Sequence, residues 1–340
     1  MGGMSGVTMT MVAKAAGVSV STVSHVINGT RPVAAETRAR VQGAIDKLGF
    51  THRPVARSLA AGSTTTVGLA ISSMSNPYWH ELVSGIEEEA HRQGLQLLVS
   101  DTGEDPQREE RVVANLLAHH IAGLVIAPAS GWQDTTLRLL REHPIPFVVI
   151  DRLQDVRADQ IGVENESSSA ALVDHLIQRG HRRIGMLCGR SGLSTTDERR
   201  AGYLRAHLRR GLPVDEELMV DGGSTDAGGR RAAARLLNLE EPPTAIFSAN
   251  DSMTIGALRA LRENGLRVPE DMALVCFDDF PWGDAFEPAL TAVAQPYFAI
   301  GARAIQLLVR RMSDPTAPHQ TLRLNGEITH RSSCGCPPGG

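Results

Sequence analysis

The sequence predicts an α/β chain in which an N-terminal helix-turn-helix precedes two parallel-sheet subdomains. Three observations carry this. A pattern of short helix, turn and short helix occupies Val12 to Gly29. From Val67, apolar strands alternate with amphipathic helices. After about residue 165 the same alternation starts again.

The first run reads V-A-K-A-A-G-V-S-V-S-T-V-S-H-V-I-N-G. Ala13 is small where a second helix must pack. Gly17 can take the positive φ of a tight turn without a Cβ penalty. Val23 faces back into the pair, and Val26 and Ile27 continue its apolar face. The spacing predicts helices over 9–16, 20–28 and 35–48. The third places Val41, Ala44, Ile45 and Leu48 on one face at i, i+3, i+4 and i+7. Ala34 stands where a capping side chain would help, at a cost of about 1 kcal/mol. The outward face of the second helix carries Val20, Ser21, Thr22, Ser24 and His25, short side chains that can reach base edges or phosphates. A plain helical hairpin would show the turn; the Ala–Gly–Val spacing favours DNA binding.

Charge distribution agrees. The whole chain carries a formal charge of −4, but residues 1–62 hold seven basic residues against two acidic ones. The remainder holds 27 basic against 36 acidic residues. A basic module on an acidic body suits phosphate binding by the module alone. No eighteen-residue apolar run and no basic-then-apolar leader occurs, so a cytoplasmic protein without a membrane span is expected.

In the body, candidate strands are Val67–Ile71, Leu95–Ser100, Gly123–Ala127, Phe147–Ile150 and Ile161–Val163, then Ile184–Cys188, Leu218–Val220, Ala245–Ser248 and Ala273–Phe277, with final strands near Thr321–Asn325 and Glu327–His330. Helices between them imply sheets covered on both faces. Enzyme signatures are missing. No G-x-G-x-x-G follows an early strand, the G-G-S-T-D-A-G-G from Gly222 lacks that spacing, and no P-loop, G-x-S-x-G or H-E-x-x-H occurs. Asp278 and Asp279 are adjacent at a strand end, so they point apart and make a poor acid/base pair. No cofactor is expected. Cys188 and Cys276 sit in apolar strands as buried thiols. Cys334 and Cys336 form a C-G-C in a Gly/Pro-rich tail, where His330 alone is poor support for a metal; a reduced, frayed tail is expected.

Ligands of open α/β sheets bind beyond the carboxyl ends of the strands. The loops there supply Asn76, Tyr78, Trp79, Asp101, Asp151, Arg152, Arg199, Asn250, Asp278 and Gln295. Carboxylates, amides and guanidiniums pair with vicinal hydroxyls, while aromatic faces cover the C–H patches of a sugar ring. Asp251 reads equally well as a helix N-cap or a contact.

The stretches V-A-K-A-A-G-V-S, S-T-V-S-H-V-I-N-G, V-A-A-E-T-R-A-R-V, I-D-K-L-G-F and V-A-R-S-L, with V-G-L-A-I, S-N-P-Y, F-D-D-F and L-T-A-V-A-Q-P, resemble the lactose/galactose repressor (LacI/GalR) family over nearly the whole chain. The resemblance implies a helix-turn-helix headpiece over 1–50, a hinge helix over 51–62 and a periplasmic-binding-protein-like core over 63–340. The core would divide into an N-subdomain (about 66–162 and 292–321) and a C-subdomain (163–291 and 322–335), with crossovers near 162, 291 and 322. His52 stands where the family usually has a proline, and Pro54 appears instead. The implied function is a ligand-controlled transcriptional repressor, homodimeric on palindromic double-stranded operator DNA. Val20, Ser21, Thr22 and His25 would read bases, Arg31 and Arg57 would hold phosphates, and Leu59 would wedge the central step. Arg199, in R-R-A-G, matches the family's effector-contacting arginine. A sugar or sugar phosphate is the expected effector. Alternatives are a purine- or nucleoside-responsive member, an activator on the same scaffold and, in a different class, a solute-binding protein. No leucine-heptad tail suggests a tetramer.

Overall fold

The computed structural model describes residues 9–28, 33–48, 64–72, 74, 78–280, 282–285 and 287–336. The chain divides into two compact units, Met1–Thr64 and Thr65–Gly340. The expected hinge helix, Arg31, Arg57, Leu59 and Asn76 lie outside the described residues, as does the side chain of Tyr78.

In the first unit, helices α1 (Met9–Ala16), α2 (Val20–Asn28) and α3 (Ala35–Leu48) fall where the periodicity places them. Val12, Ala13, Ala16, Val23, Val41 and Ala44 form their common core, with Val26, Ile45 and Leu48 against it. Gly17 takes φ +63° between α1 and α2. A Cβ there would also meet the Arg40 guanidinium at 2.8 Å. That guanidinium donates to the carbonyls of Ala16 (2.6 Å) and Gly17 (3.2 Å). A cation on α3 thus satisfies the carbonyl end of α1, where the helix dipole favours positive charge.

The second unit contains two six-stranded sheets. The first is built from β1 (Thr66–Ile71), β2 (Gln96–Asp101), β3 (Gly123–Ile126), β4 (Phe147–Ile150), β5 (Asp159–Val163) and β11 (Thr321–Leu324), in the order β11-β5-β4-β3-β1-β2. All its pairings are parallel. The second uses β6 (Ile184–Cys188), β7 (Met219–Asp221), β8 (Ala245–Ser248), β9 (Ala273–Phe277), β10 (Thr291–Ala294) and β12 (Glu327–Thr329), in the order β12-β10-β9-β8-β6-β7. Only β10 with β12 is antiparallel. Each sheet therefore repeats one winding, which reverses beside its first strand.

Burial explains the alternation. Leu69 and Ile71 face one apolar layer and Ala70 faces the other. The first sheet is covered on one face by α4 (Tyr78–Arg92) and α11 (Tyr297–Ser313). On the other face lie α5 (Pro106–Ala118) and α6 (Thr136–Glu142). Helices α4 and α11 touch through glycines: a Cβ on Gly85 would lie 2.2 Å from the Phe298 carbonyl, and one on Gly301 2.2 Å from that of Leu82. In the second lobe, α7 (Asn165–Gln178), α8 (Ser194–Arg209), α9 (Asp226–Leu237) and α10 (Asp251–Glu263) flank the sheet.

Two expected crossovers move. Residues 291–294 are not a crossover but strand β10, paired in parallel with β9 in the second sheet. The chain changes lobe after it, at Gln295–Pro296. Likewise β11 runs to Leu324 in the first sheet, so the last crossover falls at residues 325–326 rather than 322. The short apolar T-A-V-A carries no periodicity of its own; its ladder with Val275–Phe277 makes it a strand.

The tail is also corrected. Ser332–Cys334 forms a helical turn, and Cys334 is 1% exposed within the core. The Ser333 hydroxyl donates to the Leu274 carbonyl (2.6 Å) and accepts from the Thr291 amide (2.8 Å). A segment so bonded does not fray.

One buried ion pair closes the first lobe. Asp159, fully buried at the start of β5, accepts from Arg311 (2.8 Å) at the end of α11 and from the Gln320 amide (2.8 Å) ahead of β11. Asp159→Asn keeps the shape but leaves the Arg311 cation buried without its counter-charge. It should cost about 3 kcal/mol of core stability in denaturant titration.

Candidate functional site

The carboxyl ends of both sheets meet at a cavity of about 650 Å³. The winding reverses at β1/β3 and at β6/β8, where crevices open between loops that depart to opposite faces. Trp79, Asp101, Asp151, Arg152, Arg199, Asn250 and Asp278 all line this cavity, as the sequence predicted. Gln295 does not. It lies against Asp278 and donates its amide to that carboxylate, so it orients a cavity residue instead of lining the cavity. Glu104, Arg108 and Arg190 also line the cavity, and the sequence had not singled them out. Glu104 and Arg190 lie in loops after strand ends, whereas Arg108 stands on α5.

Arg199 is the most constrained group. It rises from α8 with Cζ 3.8 Å from the Phe277 ring centroid. Nε donates to Asn165 Oδ1 (2.9 Å) and Nη1 to the Ala249 carbonyl (2.6 Å). Nη1 also lies 3.5 Å from Asp278 Oδ2. Its Nη2 has no hydrogen-bond partner among the described residues and is the natural donor to a ligand.

Asp278 is 5% exposed and sits at φ +75°. Gln295 and Tyr297 (3.5 Å) both donate to its Oδ1. Burial raises its carboxyl pKa, Arg199 opposes this, and the charge of Asp251 adds to the rise. Asn250, not Asp251, caps α10: its Oδ1 accepts from the Met253 amide (2.9 Å). Asn250 also donates to the Ser224 carbonyl (3.4 Å), so its amide holds two loops together at the cavity wall.

Across the cavity, Arg152 is bound to Glu104 (2.8 Å), the Pro128 carbonyl (3.0 Å) and the Ser72 hydroxyl (3.3 Å). Asp101 accepts from the backbone amides of Met74 (2.9 Å) and Gly103 (2.7 Å). Both organise the loops of the first lobe. Five described non-glycine residues have left-handed backbones, and Glu104, Asp151, Ser224 and Asp278 among them line this one cavity. Such conformations cost of order 1–3 kcal/mol each and gather where loop geometry serves a site.

In the first unit, Ser19 begins α2. Its hydroxyl accepts from the Thr22 amide (3.1 Å) and lies 2.8 Å from the hydroxyls of both Ser21 and Thr22. Val20 is 43% exposed and Ser21 is exposed, while Thr22 and His25 are half-buried. The first turn of α2 therefore presents a methyl-bearing side chain and linked hydroxyls to solvent.

Both units match known proteins. Residues 8–52 match the family model described as bacterial regulatory proteins, lacI family, and residues 173–334 match that of the periplasmic binding protein-like domain. The HTH-type transcriptional repressor PurR of Haemophilus influenzae is 35% identical over 302 residues, covering 89% of this chain and 90% of that protein. Its counterpart in Vibrio atlanticus is 32% identical over 95% of this chain and 97% of that protein. The chain belongs to the LacI family. It is a DNA-binding transcriptional repressor with a ligand-responsive core. A lac repressor dimer bound to operator and the anti-inducer ONPF superposes with a TM-score of 0.86 at 28% identity, covering 97% of this chain and 99% of that one. The transcriptional regulator CelR in complex with cellobiose gives 0.74 at 32% identity, covering 96% and 99%.

Two expectations test the site. Arg199→Ala should destabilise the core by about 3 kcal/mol, because Asp278 is left buried near Asp251 without its cation. Adding Asp278→Asn should recover part of that loss, so denaturant midpoints of the two single variants and the double variant should be clearly non-additive. The second concerns Glu109, which is fully buried and accepts from the Ala129 amide (2.6 Å) in a loop beside the cavity. Burial pushes its carboxyl pKa up against that hydrogen bond. The folded state then holds this proton to higher pH than the unfolded state, so its contribution to stability falls as pH rises through the carboxyl range. Glu109→Gln keeps the acceptor and removes the charge. Its melting temperature relative to wild type should rise between pH 4 and 8.

Proposed function

We propose that the protein is a homodimeric repressor of a palindromic operator, released or recruited by a sugar or sugar-derived effector in the interlobe cavity. The observation that carries the effector class is the cavity wall: Arg199 Nη2 with no hydrogen-bond partner among the described residues, carboxylates at Asp101, Asp151 and Asp278, and Trp79 as the sole aromatic among the described lining residues. Fixed planar donors and acceptors suit vicinal hydroxyls, and one aromatic face suits one face of a sugar ring. A purine would be served better by aromatic surfaces on both sides. The purine reading is kept because of the similarity to PurR repressors.

Val20, Ser21, Thr22 and His25 would read the major groove, with Val20 against a thymine methyl and His25 donating to guanine. Arg31 and Arg57 would hold phosphates, and Leu59 would open the central step. The effector touches both lobes, so it can favour one lobe arrangement by its differential affinity for the two and no more. In this reading the protein has no enzymatic activity and acts in the cytoplasm.

A thermal-shift screen of sugars, sugar phosphates, purines and nucleosides tests the effector class, followed by operator binding with the compound found. A sugar that stabilises the wild type but not Arg199→Ala, and changes operator affinity, is expected. Stabilisation by a purine alone would replace the sugar reading. On DNA, Leu59→Ala should weaken operator binding and bending while leaving non-specific binding nearly intact. An unchanged bend angle would remove Leu59 from the minor groove.

A further inference from the structure

Away from the cavity, the C-G-C segment meets a partner that lies far from it in sequence. His175 is in the last turn of α7, and its Nε2 is 3.2 Å from Cys334 Sγ and 3.4 Å from Cys336 Sγ. The three donor atoms all lie within 4.8 Å of one another, the one such group of three His, Cys, Asp or Glu donors among the described residues. The cysteines are free thiols.

We propose that His175, Cys334 and Cys336 bind a single thiophilic metal ion, with Zn²⁺ as the fitting class. In a tetrahedral site, Zn–S of about 2.3 Å and Zn–N of about 2.0 Å set donor atoms about 3.5–3.8 Å apart. The observed nitrogen–sulfur separations need only a few tenths of an ångström of expansion. Two sulfurs and one imidazole nitrogen form a soft donor set that selects zinc or cuprous ions over calcium or magnesium.

The scaffold is fixed on both sides. Cys334 is held in the core by the Ser332–Cys334 turn, and the Thr291 hydroxyl donates to its sulfur (3.1 Å). The Arg179 guanidinium donates to the Gly335 carbonyl (2.5 Å), between the two cysteines, and places positive charge beside two prospective thiolates. Cys336 and His175 are only half-buried, which leaves the fourth coordination position open to water. On binding, the thiol protons pass to solvent and no redox step is involved.

The ion would tie the C-terminal segment to α7. The other end of that helix carries Asn165, which holds Arg199, so the same rigid element bears both sites. The proposal itself concerns binding and does not depend on the effector reading.

The test uses the reduced full-length protein titrated with Co²⁺ and then with Zn²⁺. One Co²⁺ per chain should give thiolate-to-cobalt charge-transfer bands and the visible spectrum of a tetrahedral site, both abolished by Zn²⁺. Cys336→Ser and His175→Gln, at half-buried positions, should each lower affinity by more than about 100-fold while circular dichroism stays unchanged. If Co²⁺ binds with no charge-transfer band, or both variants bind as the wild type does, the proposal fails. Metal-free protein isolated with a Cys334–Cys336 disulfide, seen as the loss of two hydrogens by mass, would overturn it in favour of a redox pair.

Discussion

The second unit depends most on where Arg199 can put its charge. A guanidinium 6% exposed must have its hydrogen bonds and its charge answered nearby. Asn165 at the head of α7, the Ala249 carbonyl after β8 and Asp278 after β9 answer them. These lie in three separate chain segments. The ion pair thus holds the loops of the second lobe in one arrangement and leaves Nη2 without a hydrogen-bond partner among the described residues. Asp278 is itself set by Gln295 and Tyr297, which stand where the chain changes lobe. The ligand-facing charge and one hinge strand belong to the same hydrogen-bonded group.

A second link reaches the other hinge strands. Glu198, next to Arg199 on α8, pairs with Arg323 (2.6 Å) of β11 and accepts from Asn165 (2.8 Å). Arg323 belongs to the first sheet and Glu198 to the second lobe, so this pair spans the lobes. Asn165 bonds Glu198 with its amide nitrogen and Arg199 with its oxygen. A change in lobe arrangement that broke the Arg323 contact would act on the residue that orients Arg199, a contiguous physical route between cavity and hinge.

The first lobe reaches its side of the cavity differently. Its organising pair, Arg152 with Glu104, sits at strand ends whose backbones are held in left-handed conformations at Glu104 and Asp151. Arg152 spends its hydrogen bonds on the loops and lies 3.5 Å from Asp151, which lines the cavity with Trp79. Arg152 thus holds the loops around it, whereas Arg199 Nη2 has no hydrogen-bond partner among the described residues.

The sequence by itself determined the elements. Helices α1, α2 and α3 were legible because apolar residues at helical spacing and one glycine at the turn leave a short segment few alternatives. Strands such as Ile184–Cys188 and Ala273–Phe277 were legible because both faces of a parallel sheet are dry and the whole run must be apolar. Most of the cavity followed from topology, since strand ends converge whatever the loops contain. Tertiary structure decided what sequence distance hides. T-A-V-A became strand β10 through its ladder with β9. Gln295 fell behind Asp278 instead of beside it. Cys334 and Cys336 looked like an idle tail because His175, about 160 residues upstream, carries no local sign of meeting them. A short-range pattern reports which residues share a helix face or a strand. Which faces then meet is set by long-range pairing of buried surfaces and charges, and no local period records it.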